Sequence, residues 1–228
     1  MAKLCVAVVS GGPDSIGYAA VWKSRGFDIY PVSFNYGQKG KKEIEVVERL
    51  SKKIGFKQPV FINVSSLKEL WKSTQLTDDN VQVRETYAPD VVVPLRNGVF
   101  LMIAAAYADT LSADVLIYGA HLNDASRRPD REEPLYPDCT PAFAESLEDA
   151  INKGRQGSKK IILQSPAREG LTKSELLKRS YELLGEILYE TWSCYLSADV
   201  HCGRCESCNN RKRAFREAGI EDKTKYMY

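Results

Sequence analysis

Short apolar runs that alternate with amphipathic helical segments predict an α/β fold: one parallel, doubly wound sheet with helices on both faces, followed by a small cysteine-rich C-terminal module. Two further observations agree. The first apolar run, residues 4–9, leads straight into Ser10-Gly11-Gly12-Pro13-Asp14-Ser15, a strand-to-helix turn made of small residues. A chain of 228 residues, 43% hydrophobic, can also bury one substantial core with room for an appended module. The expected division is an α/β core over 1–190 and a module over 191–228 packed on it.

Taken in order, 4–9 reads as a buried strand and 14–25 as the helix it feeds, with a second strand at 29–34. In 41–54, Ile44, Val47, Leu50 and Ile54 recur at helical spacing on one face. A third strand is expected at 60–64 and a short helix at 66–72. From 73 to 92 the pattern lapses into polar sequence, long enough to suggest a functional or mobile loop. An Ala-rich helix follows at 96–111, then a strand at 114–118 ending at Gly119, and a second polar loop at 123–141. Residues 142–153 read as a helix and 160–164 as a strand. The helix at 172–184 has Thr172 as N-cap and Glu175 in the capping-box position. No internal repeat or low-complexity tract interrupts the series.

Chemistry concentrates first in the turn after the first strand. Backbone N–H groups there form a nest for anions. Gly11 and Gly12 permit strained angles and remove side chains that would hold a phosphate away. Ser10 and Ser15 add hydroxyl donors. Asp14 can cap the helix or hold Mg²⁺, and Pro13 suits an early helical position. A Walker loop is excluded, since the Gly40-Lys41 pair is followed by Lys42, and there is no G-x-G-x-x-G string. Ligands of parallel sheets sit at the carboxyl ends of strands. That edge gathers Ser10–Ser15, the run Asn35-Tyr36-Gly37-Gln38-Lys39, Gly119-Ala120-His121 and Ser165-Pro166.

Cys194, Cys202, Cys205 and Cys208 form the second signal. Their two-residue gaps let successive thiolates reach one ion in a knuckle, with Gly203 supplying the turn. A Cys-only set suits structural Zn²⁺, with an iron–sulfur cluster or free thiols as alternatives. His201 is a spare ligand. Cys5 reads as core, and Cys139 as a small packed residue or a reactive thiol. Crowding of four cysteines favours metal over disulfides and therefore a reducing, cytoplasmic setting. Net charge is +2, which points to neither a nucleic-acid nor a membrane partner. No apolar stretch is expected to approach the ~20 residues of a membrane span, and residues 1–4 do not read as a signal peptide.

The string SGGPDS resembles the SGGxDS loop of the ATP pyrophosphatases, which implies a Rossmann-like sheet of the adenine nucleotide α-hydrolase type. Val93-Pro94-Leu95-Arg96-Asn97, Tyr136-Pro137-Asp138-Cys139, Phe34-Asn35-Tyr36-Gly37-Gln38 and the four cysteines narrow this. With the loop, they look like the QueC family of 7-cyano-7-deazaguanine synthases, in order over nearly the whole chain. The resemblance implies an ATP-dependent carbon–nitrogen ligase that converts 7-carboxy-7-deazaguanine and ammonia to the nitrile through an amide, in queuosine- or archaeosine-type deazapurine synthesis. It also implies Mg²⁺ with ATP, structural Zn²⁺ and a homodimer, and the absence of a glutaminase domain suggests free ammonia.

For the ATP site, the resemblance implies Val9, Ser10, Gly11, Gly12, Pro13, Asp14, Ser15, Ile16 and Gly17. Ser10, Asp14, Lys39 and Lys173 are the expected catalytic residues, with Lys39 placed to neutralise departing pyrophosphate and Lys173 matching a family lysine that faces the nucleotide. Tyr36, Gln38, Arg96, Asn97, Tyr136 and Asp138 are expected at the deazaguanine acid. Arg96 would clamp a carboxylate or phosphate with its planar fork, Asn97 would pair with a ring edge or cap the following helix, and Asp138 would accept from guanine-like N–H groups. Plainer readings are a first-turn surface Arg96, a turn residue at Asp138 and an ordinary helix residue at Lys173. Two departures stand out: Leu95 occupies a position that is usually Gly in the family, and the stretch 127–135 is longer and more charged. A tRNA-thiolating ligase, a zinc-stabilised binding module and a paralogue acting on a related acid or a protein are the rival readings.

Overall fold

The computed structural model describes residues 3–128 and 132–228. Met1, Ala2 and residues 129–131 lie outside them, and with them part of the 1–4 signal-peptide reading and of the charged 127–135 stretch.

Five parallel strands, β1 (Lys3–Val8), β2 (Phe27–Asn35), β3 (Val60–Asn63), β4 (Val115–Ile117) and β5 (Ile162–Gln164), make one sheet in the order β3-β2-β1-β4-β5. Strand order therefore reverses direction between β1 and β4, and the crevice beyond their carboxyl ends is where such sheets bind ligands. Alternation along β1 decides which helices cover which face. Cys5, Ala7 and Val9 face α1 (Pro13–Ser24), α2 (Lys42–Ile54) and α5 (Lys173–Leu184), packing with Ile16, Val47, Leu50 and Leu176. Val6 points the other way, toward α3 (Arg96–Thr110) and α4 (Pro141–Gly154), where Phe100, Leu101, Ala104 and Ile151 close the second half of the core. On that side Phe34 of β2 stacks on Phe100 at 4.2 Å between ring centroids. The doubly wound sheet expected from the sequence is thus present, and each expected strand lies within a few residues of its place. Thr172 caps α5 and Glu175 closes the expected capping box.

Three expectations need correction. The polar stretch 73–92 is no loose loop, because Thr74, Gln75, Leu76 and Thr77 are buried. The Thr74 and Thr77 hydroxyls bond each other at 2.6 Å, the Thr77 hydroxyl donates to the Trp71 carbonyl at 2.6 Å, and the Gln75 N–H donates to the Asp90 carbonyl at 2.7 Å. Its polar side chains serve its own backbone, so the missing apolar pattern conceals a packed segment. The short helix expected at 66–72 is a 3-10 turn, Ser65–Glu69. The run Pro89–Thr110, 22 residues, is long and apolar enough to meet the length and composition of a membrane span, contrary to expectation. It is not one helix: α3 begins only at Arg96, and its Phe100, Leu101, Ala104 and Ala108 are buried in the core.

A helix that the sequence pattern did not reveal, α6 (Glu206–Ala218), follows the last cysteine turn. Ala214 and Phe215 seat it against Leu177 of α5 and Leu188. Arg211 of α6 is almost wholly enclosed, and its guanidinium donates to the Thr191 hydroxyl at 2.9 Å and the Ser193 hydroxyl at 3.1 Å. The cysteine-bearing segment is thereby tied to the chain leaving α5.

Leu95, the departure from the family pattern, has φ +53° and lies 66% exposed just before α3. A β-carbon in this left-handed region costs about 1–2 kcal/mol, more than the ~0.5–1 kcal/mol of extra backbone entropy a glycine would lose. With little side-chain packing to forfeit, Leu95→Gly is expected to stabilise the protein by about 0.5–1 kcal/mol, a rise of roughly 2–4 °C at most in melting temperature. Thermal denaturation followed by circular dichroism checks this, and a lower melting point would contradict it.

Candidate active site

At the reversal of strand order, β1 runs into the Ser10–Ser15 turn. Gly11 has φ +81°, and a β-carbon there would come within 2.7 Å of the Glu43 carbonyl oxygen at the start of α2. Only glycine suits the position on both counts. Its own carbonyl accepts from the Trp192 N–H at 2.9 Å. The Ser10 N–H donates to the Ser15 hydroxyl at 3.1 Å, and the two hydroxyls lie 3.3 Å apart. Gly12 is the N-cap of α1 and Pro13 its first residue, so Asp14 sits inside the first turn and is not the cap. At Gly119, beyond β4, a β-carbon would meet the Ser15 backbone nitrogen at 2.8 Å. The absence of a side chain there lets β4 close on the turn.

Asp14 is the electrostatic centre of the turn. Its Oδ2 pairs with Lys173 Nζ at the start of α5 and lies 3.9 Å from His121 Nε2. His121 Nδ1 in turn lies 3.2 Å from Asp124 Oδ2. Burial opposes ionisation of Asp14, but the charges of Lys173 and His121 outweigh it and hold the carboxyl below its ordinary value. Asp14 Oδ1 is buried with no hydrogen-bond partner. An ionised oxygen left unpaired at an anion-binding turn suits a hard cation that travels with a polyphosphate.

The turn opens into a cavity of about 300 Å³ whose walls include Val9, Ser10, Gly12, Asp14, Ser15, Tyr36, Gln38, Arg96, Asn97, Tyr136, Asp138 and Lys173. Most of the expected site residues therefore meet in one space. Gly11, Pro13, Ile16 and Gly17 support the turn from behind; Ile16 is fully buried, and Gly17 packs on Ser180 of α5. Lys39 is not brought in: its ammonium donates to the Val81 carbonyl at 2.6 Å.

Arg96, the first residue of α3, donates from Nη1 to the Tyr36 hydroxyl at 3.1 Å, with its guanidinium carbon 5.4 Å from the ring centroid. Burial opposes its charge, yet Tyr36, Asp138, Cys139 and Glu43 together hold it above its ordinary value. Asn97 and Asp138 form a unit, the Asn97 N–H donating to Asp138 Oδ2 at 2.9 Å and the Asn97 amide to Oδ1 at 3.2 Å. Asp138 thus caps α3 from another segment. Gln38 is braced within its own turn, accepting from the Tyr36 N–H at 2.9 Å and donating to the Phe34 carbonyl at 3.1 Å. Cys139 is buried, and burial pushes its thiol well up, which disfavours a nucleophilic thiolate.

The same cavity takes in residues that the sequence reading left out of the site, among them Glu43, His121, Asp124, Glu206 and Asn210. His121 and Asp124 had a usable signal, their place just beyond β4. Glu206 and Asn210 stand four residues apart on α6, where they flank Cys208 and carry no spacing signal of their own.

The four cysteine sulfurs of the expected metal site lie within 4.8 Å of one another, with Cys202 and Cys208 Sγ 3.9 Å apart. Four thiolates about 2.3 Å from a tetrahedral zinc would stand roughly 3.8 Å apart, so the set fits. Cys194 Sγ accepts from the Leu196 and Cys202 N–H groups, each at 3.4 Å, and Cys202 Sγ from Cys205 N–H at 3.3 Å. The donors on Cys194 favour its thiolate form. Gly203 makes the expected turn at φ +77°. His201 lies outside the set: its Nε2 accepts from the Ser193 N–H at 3.1 Å, and its ring packs on Trp192.

Residues 4–219 match the family model described as queuosine biosynthesis protein QueC. The chain belongs to that family. It is 35% identical to the 7-cyano-7-deazaguanine synthase of Sulfurovum sp. (strain NBC37-1), the alignment covering 99% of each chain. Identity to the 7-cyano-7-deazaguanine synthase of Thermoplasma volcanium is 35%, over 99% of this chain and 92% of that one. Among solved structures, a 4-thiouridine synthetase–RNA complex with bound ATP superposes with a TM-score of 0.50 at 17% identity, over 95% of this chain and 50% of that chain. That likeness concerns the fold alone.

Within this QueC-family cavity Glu43 titrates unusually. Burial pushes its carboxyl from the ordinary 4.5 up to about 8, with Arg96 pulling the other way. A folded value above the unfolded one means that Glu43 favours the fold fully below about pH 4.5 and loses that contribution as pH rises through about 8. Glu43→Gln cannot ionise, so it is expected to raise the melting temperature relative to the parent at pH 8.5 and to change it little near pH 4.5. An equal shift at both values would contradict the assignment.

Proposed function

We propose that this QueC-family protein is an ATP-dependent carbon–nitrogen ligase that makes 7-cyano-7-deazaguanine from 7-carboxy-7-deazaguanine and ammonia, through the amide. The observation that carries the reading is the single cavity joining the anion-binding turn to Arg96. Lys173 and the Ser10–Ser15 amides would hold the pyrophosphate end of ATP, with Asp14 Oδ1 available to Mg²⁺. Arg96 would steer the carboxylate toward the α-phosphate, and Tyr36, Tyr136 and the Asn97–Asp138 pair would line the flat ring. Mg²⁺ bound with ATP would supply charge neutralisation on the departing pyrophosphate.

The substrate carboxylate attacks the α-phosphate and expels pyrophosphate, while preorganised donors of the turn stabilise the developing charge. Ammonia displaces AMP to leave the amide. A second activation through the amide oxygen, followed by loss of AMP, leaves the nitrile. The turn carries no Gly-Lys-Ser/Thr string of the Walker type that cradles a transferring γ-phosphate, which favours AMP over ADP as the product. Catalysis on free ammonia in the cytoplasm, a homodimer and the absence of a nucleic-acid partner belong to the same reading. A thiolating ligase would need a reactive cysteine in the cavity, and the burial of Cys139 argues against that role.

Mixing protein, the acid, ATP and ammonium and following masses with phosphorus NMR is the direct test. Amide then nitrile, with two AMP and two pyrophosphate per nitrile, is expected; ADP and phosphate as the only nucleotide products would overturn adenylation. Asp14→Ala and Ser10→Ala are expected to abolish turnover with the fold retained by circular dichroism, and near-parental rates would remove the turn from the ATP site.

Residues 191–228 are read as a structural Zn²⁺ module on the 1–190 core. Cys205→Ser leaves an incomplete ligand set in a segment with few apolar residues of its own. Metal analysis is expected to show about one zinc per parent chain and a loss in the variant, together with a lower melting temperature; a metal-free native protein would refute the module.

A further inference from the structure

Five carboxylates line the cavity, and four have evident partners. Asp14 pairs with Lys173, Asp124 with His121, Asp138 with Asn97, and Glu206 accepts from the Tyr195 hydroxyl at 2.8 Å and from Asn210. The carboxylate of Glu43 has no hydrogen-bond or ion-pair partner among the described residues. Its position is fixed, since it is the second residue of α2 and its carbonyl lies against Gly11. Its side chain lines the same cavity as Tyr36 and Arg96, with its carboxyl carbon 3.8 Å from where a Gly40 β-carbon would lie. Glu43 therefore faces the space that joins the anion-binding turn to Arg96, the space in which the reacting carbon must lie if the proposed function holds.

The chemistry calls for a proton acceptor there. When ammonia displaces AMP, one N–H bond must break as the C–N bond forms and the C–O bond to AMP cleaves. Conversion of amide to nitrile breaks two more N–H bonds, the last as the second AMP leaves and its C–O electrons go with it. None of the partnered carboxylates is free to take these protons without giving up a contact that holds the site. Resting on the proposed function, we propose that Glu43 is the catalytic base of the nitrogen steps, taking the N–H protons lost from ammonia and the amide and passing them to solvent. Each transfer breaks N–H and forms a carboxylic O–H, with no oxidant or further reactant needed.

A carboxyl raised by burial to about 8 is a far better base, once ionised, than an ordinary glutamate. The charge that bears on it directly is Arg96 at the start of α3; the wall also holds the Asp14–Lys173 pair, His121 beside Asp124, Asp138 bonded by Asn97, the Tyr36 hydroxyl, and Glu206 on α6.

The test separates activation from nitrogen chemistry. Exchange of labelled pyrophosphate into ATP, with the acid or the amide present and ammonia absent, reads each adenylation alone; conversion of supplied amide to nitrile reads the second activation together with the nitrogen step. For Glu43→Gln, exchange is expected to stay within about threefold of the parent while nitrile formation falls at least about 100-fold. The parent's rise in nitrile formation with pH toward 8 should vanish in the Gln variant and partly return in Glu43→Asp. Equal losses in both assays, an unchanged nitrile rate, or a retained pH limb would each overturn the role. Should Glu43→Gln fail to fold by circular dichroism, Glu43→Asp decides by the same two assays, a slowed nitrile step with intact exchange supporting the role and parallel loss refuting it. A parent protein with no acid-dependent exchange would instead overturn the proposed function itself, and Glu43's role with it.

Discussion

The backbone at Gly11 is the constraint on which the rest of the site depends. Its left-handed angle turns the chain from β1 into α1, its missing side chain admits the Glu43 carbonyl, and its carbonyl receives the Trp192 N–H. Three distant parts of the sequence thus meet on one residue. Two residues beyond Trp192 stands Cys194, the first of the four clustered cysteines, so that cluster is connected to the anion-binding turn by a short stretch of chain. A metal held there would also limit where Trp192 can lie, and Trp192 in turn holds the loop.

Around that turn the protein separates its ionisable groups by environment. Asp14 stays ionised because Lys173 and His121 offset the cost of burial. Glu43, on the same wall, lacks such partners and is driven the other way. Two carboxylates in one cavity with opposite titration suit two different tasks, one facing phosphate and metal, the other facing protons. Arg96 lies within electrostatic reach of Glu43 and beside Tyr36, where its fixed charge can orient an anionic substrate.

What the sequence made legible was local chemistry. The strand ending in Ser10–Ser15, the spacing from Cys194 to Cys208 and the capping box at Thr172 are read within a few residues, and the structure places each where its pattern puts it. The sheet followed from the alternation of apolar runs. Long-range contacts stayed hidden. Glu43 is one of three glutamates on an amphipathic helix until the fold brings Gly11 against it and opens it to the cavity that Arg96 lines. Residues 73–92 read as loop because the hydroxyls and amides of Thr74, Thr77 and Gln75 satisfy backbone groups that no periodicity reveals. Lys39 followed the strand-end rule into the expected site, yet its ammonium is held by the Val81 carbonyl from a segment 42 positions away.

On the proposed function, one cavity directs the substrate's own oxygen onto the α-phosphate of ATP, once as acid and once as amide. Substrate labelled with ¹⁸O in both carboxylate oxygens tests it directly, with the AMP formed during turnover read by mass spectrometry. Each AMP is expected to carry one labelled oxygen through both activations, leaving none in the nitrile. Unlabelled AMP, or label found in inorganic phosphate, would contradict it.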